Sequence, residues 1–271
     1  MSSGVLIGRV AGLFRYPVKS MGSQELLRAE VGENGIVGDR AFGVVDATTG
    51  RLLSAKTVPA LLAASATYRD DGEVSIVIPV SAETSVSVSS DDRDHDAVLS
   101  EWLGRSVLLE RPGSTVVSSI DIDVDLSLHG GTGDGVFTFE TKPGRFVDSV
   151  ALHLLSTASL AAAREVYPAG DWSVARFRPN IVVEVSAGDG FVEDGWIGSS
   201  IELGNDRSSS AEIFVHKATE RCVITTRAIG DAPADREILR TLHKHHAANL
   251  GVSADVSGVG VVELGQSLRF A

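Results

Sequence analysis

The chain has 271 residues, 43% of them hydrophobic and 22% charged, which excludes wholesale disorder or a fibrous repeat and leaves room for one large core or two ordinary ones. Its 24 Lys and Arg against 36 Asp and Glu give a net charge of −12, which argues against nucleic acid or anionic lipid as partner through counterion release, though not against a local basic pocket. The single cysteine, Cys222, excludes an intramolecular disulfide, a CxxC redox pair, a cysteine-rich zinc site and a self-contained iron–sulfur cluster.

In chain order, residues 5–45 carry short β-prone runs punctuated by glycines and Pro17. Residues 74–79 and 84–88 alternate apolar and polar in the period of half-buried strands, and residues 59–66 and 96–103 are the helix candidates of this half, the second opened by Asp94 or Asp96 and stopped by Gly104. This half reads as a small barrel with short helices. Between 111 and 147 the regular pattern is lost, and the glycine run at 130–135 reads as a linker or a lid. Neither GxGxxG nor GxxxxGK[ST] occurs, so a Rossmann or P-loop nucleotide site has no support. Residues 157–165 predict a helix capped by Ser156 or Thr157, and residues 180–185, 201–203 and 211–216 predict strands. Residues 235–249 predict a second helix stopped by Gly251, and the segment from Gly260 reads as a closing strand. The class is mainly β, or α+β, with barrel closure. No apolar run approaches the roughly 20 residues that span a bilayer, and the N-terminus lacks a signal-peptide core, so we expect a cytoplasmic protein with no membrane partner.

Three groups of residues carry possible chemistry. Cys222 follows Arg221, whose charge would favour a thiolate, although a lone cysteine is most often a small buried hydrophobe. Arg176 and Arg178, read as two positions on one face of an extended segment held by Pro179, would clamp an anion, with Asn180 offering an amide. Lys19 and Ser20 after a strand, and Arg40 at a turn with Asp39, would add phosphate donors. His243 and His246 lack the carboxylate of an HExxH site and read as a solvated helix end, and they and the scattered His95, His129, His153 and His216 are given no catalytic role.

The order Tyr16-Pro-Val-Lys-Ser20, Gly38-Asp-Arg40, Phe177-Arg-Pro-Asn-Ile-Val182 and Arg221-Cys-Val-Ile-Thr-Thr226 resembles the MOSC family, in the branch with an N-terminal β-barrel domain that includes the mitochondrial amidoxime-reducing component and its bacterial relatives. The resemblance implies an N-terminal domain over 1–112, a linker or lid over 113–147 and a C-terminal MOSC β-barrel domain with a few helices over 148–271. It implies a molybdenum cofactor (molybdopterin), with Cys222 as the catalytic thiolate ligand of molybdenum. Lys19, Ser20, Arg40, Asp148, Ser149, Arg176, Arg178, Asn180 and Arg221 would be the cofactor-binding set. A soft metal ligand ringed by cationic and amide donors suits a dithiolene pterin bearing a phosphate. The activity implied is reduction of N-hydroxylated substrates such as amidoximes or hydroxylamines. Electrons would come from a separate protein, ferredoxin-like or a flavin reductase, since no ferredoxin domain is appended. Two other roles stay open: a cofactor carrier without turnover, and a sulfur carrier using a Cys222 persulfide. The chain departs from the family pattern at Glu220, where a serine is usual, and after Thr226, where the usual Asp-Pro-Asp/Glu-Thr-Gly turn is missing.

Overall fold

A computed structural model describes residues 4–81, 83–113, 119–125, 134–140, 145–146, 151–205 and 208–271. The first half contributes β1 (Leu6–Arg15), β2 (Gln24–Glu25), β3 (Arg28–Gly32), β4 (Gly35–Ile36), β5 (Gly43–Asp46), β6 (Arg51–Leu52), β7 (Ser65–Tyr68), β8 (Val74–Pro79), β9 (Ser85–Ser89), α1 (His95–Leu103) and β10 (Val107–Glu110). After β11 (Ser119–Asp125) and β12 (Asp134–Glu140) come β13 (Leu152–Ser156), α2 (Thr157–Val166), α3 (Val174–Phe177), β14 (Ile181–Val185), β15 (Ser200–Leu203) and β16 (Ala211–Glu220). The chain ends with α4 (Glu237–His246), β17 (Asn249–Gly258), β18 (Gly260–Glu263) and β19 (Ser267–Phe270).

Seven strands close a barrel in the order β14, β13, β17, β16, β15, β19, β1, with β1 returning to pair with β14. Strand β1 therefore belongs to the barrel of the C-terminal half although it starts the chain. Its buried Ile7, Val10 and Leu13 join Leu152, Leu154, Ile181, Ile213, Val252 and Leu268 in one apolar core. The seam between β1 and β14 is tight: a Cβ on Gly8 would stand 2.2 Å from the Glu184 carbonyl oxygen, so only glycine allows the two strands to meet there. A second core, built on Val18, Met21, Phe42, Val44, Leu61, Ile76, Leu99 and Val107, sits among β5, β7, β8, β10 and α1. Strand β18 pairs with β3, which ties the end of the chain back to the first half.

The mainly β class with barrel closure is what the structure has, with four α-helices among the described residues. Individual elements differ from expectation. The segment 59–66 forms only a 3₁₀ turn, Pro59–Ala63, because Ser65 already begins strand β7. The helix expected over 235–249 ends at His246: Ala247 and Ala248 both take left-handed backbone, with φ of 47° and 62°, and the chain turns into β17. Gly251 is then a strand residue and not a helix stop. Within the supposed linker, β11 and β12 pair antiparallel, and β11 pairs with β6 in parallel, so part of that segment extends a sheet of the first half. Residues 130–133 of the glycine run lie outside the described residues. Among the described residues no helix is long and apolar enough to cross a membrane.

Candidate functional site

The end of β16 and the loop after β1 face each other across a cavity of about 190 Å³. Its walls include Lys19, Ser20, Arg40, His153, Phe177, Arg178, Asn180, Glu220, Arg221 and Cys222. Three groups that are separated in sequence thus converge on one space, which is what a single bound anion requires of them.

Local backbone strain shapes this wall. Ser20, Arg40 and Arg178 have φ of 71°, 51° and 54°, three of the five non-glycine residues with left-handed φ among the described residues. Each such residue costs on the order of 1 kcal/mol and persists only where its surroundings fix it. The fixing contacts are present. Ser20 Oγ accepts from the Ala55 amide at 2.9 Å, the Arg40 amide donates to the Tyr16 carbonyl at 2.6 Å, and the Arg178 amide donates to the Val174 carbonyl at 3.0 Å. Pro179 does exclude Arg178 from the right-handed helical region, but it leaves that residue left-handed rather than extended.

Tyr16 is the post that organises the cations. Its ring lies 4.2 Å from the Arg178 guanidinium and 4.9 Å from that of Arg40, both in cation–π range. Its hydroxyl donates to the Pro179 carbonyl at 3.0 Å and its amide to Asp39 Oδ1 at 2.9 Å, while Asp39 Oδ2 pairs with Arg40. Burial pushes the Tyr16 phenol up to about 12, so it remains a neutral ring. Arg178 also donates to the Met21 carbonyl at 2.6 Å, and Lys19 Nζ to the Phe146 carbonyl at 3.3 Å.

Arg221 is held from the opposite wall. One of its nitrogens donates to the Phe177 carbonyl at 2.7 Å, another lies 3.4 Å from His153 Nε2, and its Nε is buried with no hydrogen-bond partner among the described residues. Burial lowers both Arg178 and Arg221 to about 10, and Arg40 and Arg221 lower Arg178 further by repulsion. His153 is lowered to about 3, first by burial and then by the Arg221 charge, and is therefore a neutral imidazole. Cys222 lies two residues past the end of β16, beside this group. Its carbonyl accepts from the Thr225 amide and hydroxyl, which starts a 3₁₀ turn over Val223–Thr226 and leaves the thiol exposed to the cavity.

The structure brings together Lys19, Ser20, Arg40, Arg178, Asn180, Arg221 and Cys222. It leaves Arg176 out. That residue lies in α3, fully buried, and its guanidinium donates to the carbonyls of Thr225, Arg227 and Pro233 and to Asp171. Arg176 is thus a brace for the loop after Cys222 and not half of an anion clamp, because a helical turn separates the two arginines that an extended segment would have aligned. Asn180 lines the cavity, yet its amide bridges strands: Oδ1 accepts from the His153 amide and Nδ2 donates to the Phe14 carbonyl. Asp148 and Ser149 lie outside the described residues. Tyr16 and Phe177, which open two of the sequence motifs with no role of their own, and His153 are wall or support residues. The signal for His153 is its place in Leu152-His-Leu-Leu-Ser156, a strand buried along its whole length. His246 is also no solvated helix end: it stacks on Phe191 at 3.7 Å and pairs with Asp194 at 2.7 Å.

Fold and site together define a β-barrel protein with a cationic, anion-sized cavity opening beside one accessible thiol. The chain belongs to the MOSC family: the MOSC N-terminal beta barrel domain matches residues 7–106 and the MOSC domain matches residues 128–269. No curated relative matches the chain. Among solved structures it is similar to the YUAD protein from Bacillus subtilis, at 9% identity and a TM-score of 0.48 over 97% of this chain and 94% of that one.

Proposed function

We propose that this protein binds the molybdenum cofactor in the cavity and uses it to reduce N-hydroxylated compounds, in the cytoplasm, with electrons from a ferredoxin-like protein or a flavin reductase. One observation carries the reading: an exposed thiol, Cys222, shares a single cavity with Lys19, Arg40, Arg178 and Arg221. Membership of a family associated with that cofactor supports it. The donor set fits the group. Around the cavity the described carboxylates are Asp39, already paired with Arg40, and Glu220, so among the described residues the four cations outnumber the acids. The buried Nε of Arg221, without a partner among the described residues, is a further donor available to an anion.

When bound, the cofactor would supply the two-electron chemistry that takes an N–OH substrate, two electrons and two protons to the N–H product and water. The chain's own part is positional. Cys222 offers the soft thiolate ligand. Arg178 and Arg40, stacked on Tyr16, and Lys19 beside them, present fixed charges to a phosphate without having to reorganise. Neutral His153 and the Phe177 carbonyl orient Arg221 without cancelling its charge, and Phe177 supplies apolar wall.

The test is metal analysis of protein purified from a host that makes the cofactor. Close to one molybdenum per chain is expected, falling by at least tenfold in Cys222→Ala. Absence of molybdenum from the wild-type protein would overturn the proposal. Molybdenum-loaded protein should then reduce benzamidoxime with a chemical electron donor, and loaded protein without turnover would leave a cofactor carrier.

A further inference from the structure

We infer that Glu220 is a charge filter at the mouth of the cavity, favouring cationic and neutral substrates over anionic ones; the assignment of substrates to this cavity rests on the function proposed above. The cavity is electrically graded along its depth. Lys19, Asn180 and His153 are buried and Arg40, Arg178 and Arg221 partly so, whereas Glu220 and Cys222 are exposed. Glu220 is the one acid among the described lining residues, and it adjoins Arg221 and Cys222 in the chain. Its backbone is fixed as the last residue of β16, in register with Asn249 of β17. No carboxylate hydrogen bond or ion pair engages its side chain among the described residues, so its charge is available to whatever enters.

An acid in this place opposes the anionic ligand that the floor attracts, and its exposure keeps that cost small through solvent screening. Its effect falls on the molecule that approaches the thiol from outside. Such a molecule meets a negative rim over a positive floor. A substrate that carries its positive group away from the reacting N–OH is drawn in, and one carrying a carboxylate or sulfonate there is repelled.

The single cysteine allows the field to be read directly at the site, without turnover. Methanethiosulfonate reagents form a mixed disulfide with the Cys222 thiolate and release methanesulfinate, and they exist in matched trimethylammonium and sulfonate forms. Rates are measured on the full chain, free of cofactor, at low ionic strength. Any change that Glu220 makes to thiol ionisation affects both reagents alike, so the ratio of cationic to anionic rate isolates the field. At a separation of ~8 Å in a water-like dielectric, Glu220→Gln should lower that ratio by about sixfold, and the change should shrink in 0.5 M salt. Glu220→Asp, which keeps the charge, should stay near the wild-type ratio. A ratio unchanged in Glu220→Gln would overturn the inference. In cofactor-loaded protein, kcat/KM for trimethylammonium-bearing against carboxylate-bearing benzamidoximes should shift the same way, through KM. Loaded protein that reduces neither compound would defeat the proposed reaction, while the thiol ratio would still decide whether Glu220 filters charge.

Discussion

At the scale of single residues, the site combines charges that repel one another with neutral groups that hold them. His153 shows why the neutral partners matter. A protonated imidazole 3.4 Å from Arg221 would add a third buried cation beside Arg178 and Arg221, and burial with that repulsion keeps the ring neutral down to about pH 3. Its place is enforced by the backbone: Gly251 has φ of 80°, and a Cβ there would stand 2.4 Å from His153 Nε2. Because the folded pKa is below the ordinary 6.5, the unfolded chain takes up this proton first on acidification. Stability is therefore complete above about pH 6.5 and is lost as pH falls toward 3, at up to about 1.4 kcal/mol per pH unit. Between pH 7 and pH 5 this residue should account for about 2 kcal/mol of lost stability. Urea unfolding of wild type and His153→Asn at the two pH values checks this. The variant should be less stable at pH 7 but should show a pH slope shallower by that amount, and equal slopes would show that His153 already titrates normally in the folded protein.

Among elements, α2 illustrates how a helix start is locked into the barrel. Ser156 is both the last residue of β13 and the N-cap of α2: its Oγ accepts from the Ser159 amide at 2.9 Å and donates to Glu193 Oε2 at 2.5 Å. Glu193 is fully buried and accepts also from Ser159 Oγ at 2.6 Å and the Ser156 amide at 3.2 Å. Ser156→Ala removes a cap and leaves a buried carboxylate short of a donor, so it should cost about 2 to 3 kcal/mol, lowering Tm by roughly 4 to 10 °C. The cap was legible in the sequence as Ser or Thr before an alanine-rich run, whereas Glu193 was not, because its partner lies 37 residues away. The same division runs through the fold. Strands β8 and β9 and helices α1 and α2 follow local periodicity and caps and are read nearly to the residue. Strand β17 was hidden because the left-handed pair Ala247 and Ala248 carries no glycine signal. In the site, the cationic residues were visible as motifs. The helical turn that diverts Arg176, and the tyrosine that two guanidiniums share, depend on contacts that no local pattern encodes.

For the whole molecule, the decisive feature is that the barrel carrying Cys222 is completed by the first strand of the chain. β1 pairs with β14 through five partners from Gly8 with Val185 to Leu13 with Ile181, and with β19 through Leu6, Gly8 and Arg9. It also leads directly into the loop bearing Tyr16, Lys19 and Ser20, so closing the barrel and building the cationic floor are one event. Removing β1 exposes the edges of β14 and β19 and withdraws Ile7, Val10 and Leu13 from the core. At about 1.5 to 3 kcal/mol for each buried aliphatic side chain, those three alone contribute about 4.5 to 9 kcal/mol, comparable with the 5 to 15 kcal/mol of a typical domain. A fragment of residues 148–271, although it spans most of the matched MOSC domain, is therefore expected to show no cooperative urea transition and to aggregate through its open edges. The full chain, with β18 also pairing into β3, should unfold in one transition by circular dichroism and by tryptophan fluorescence together. A fragment that unfolds cooperatively at the midpoint of the full chain would show that the barrel holds without β1, and would separate the folding of the two halves from assembly of the site.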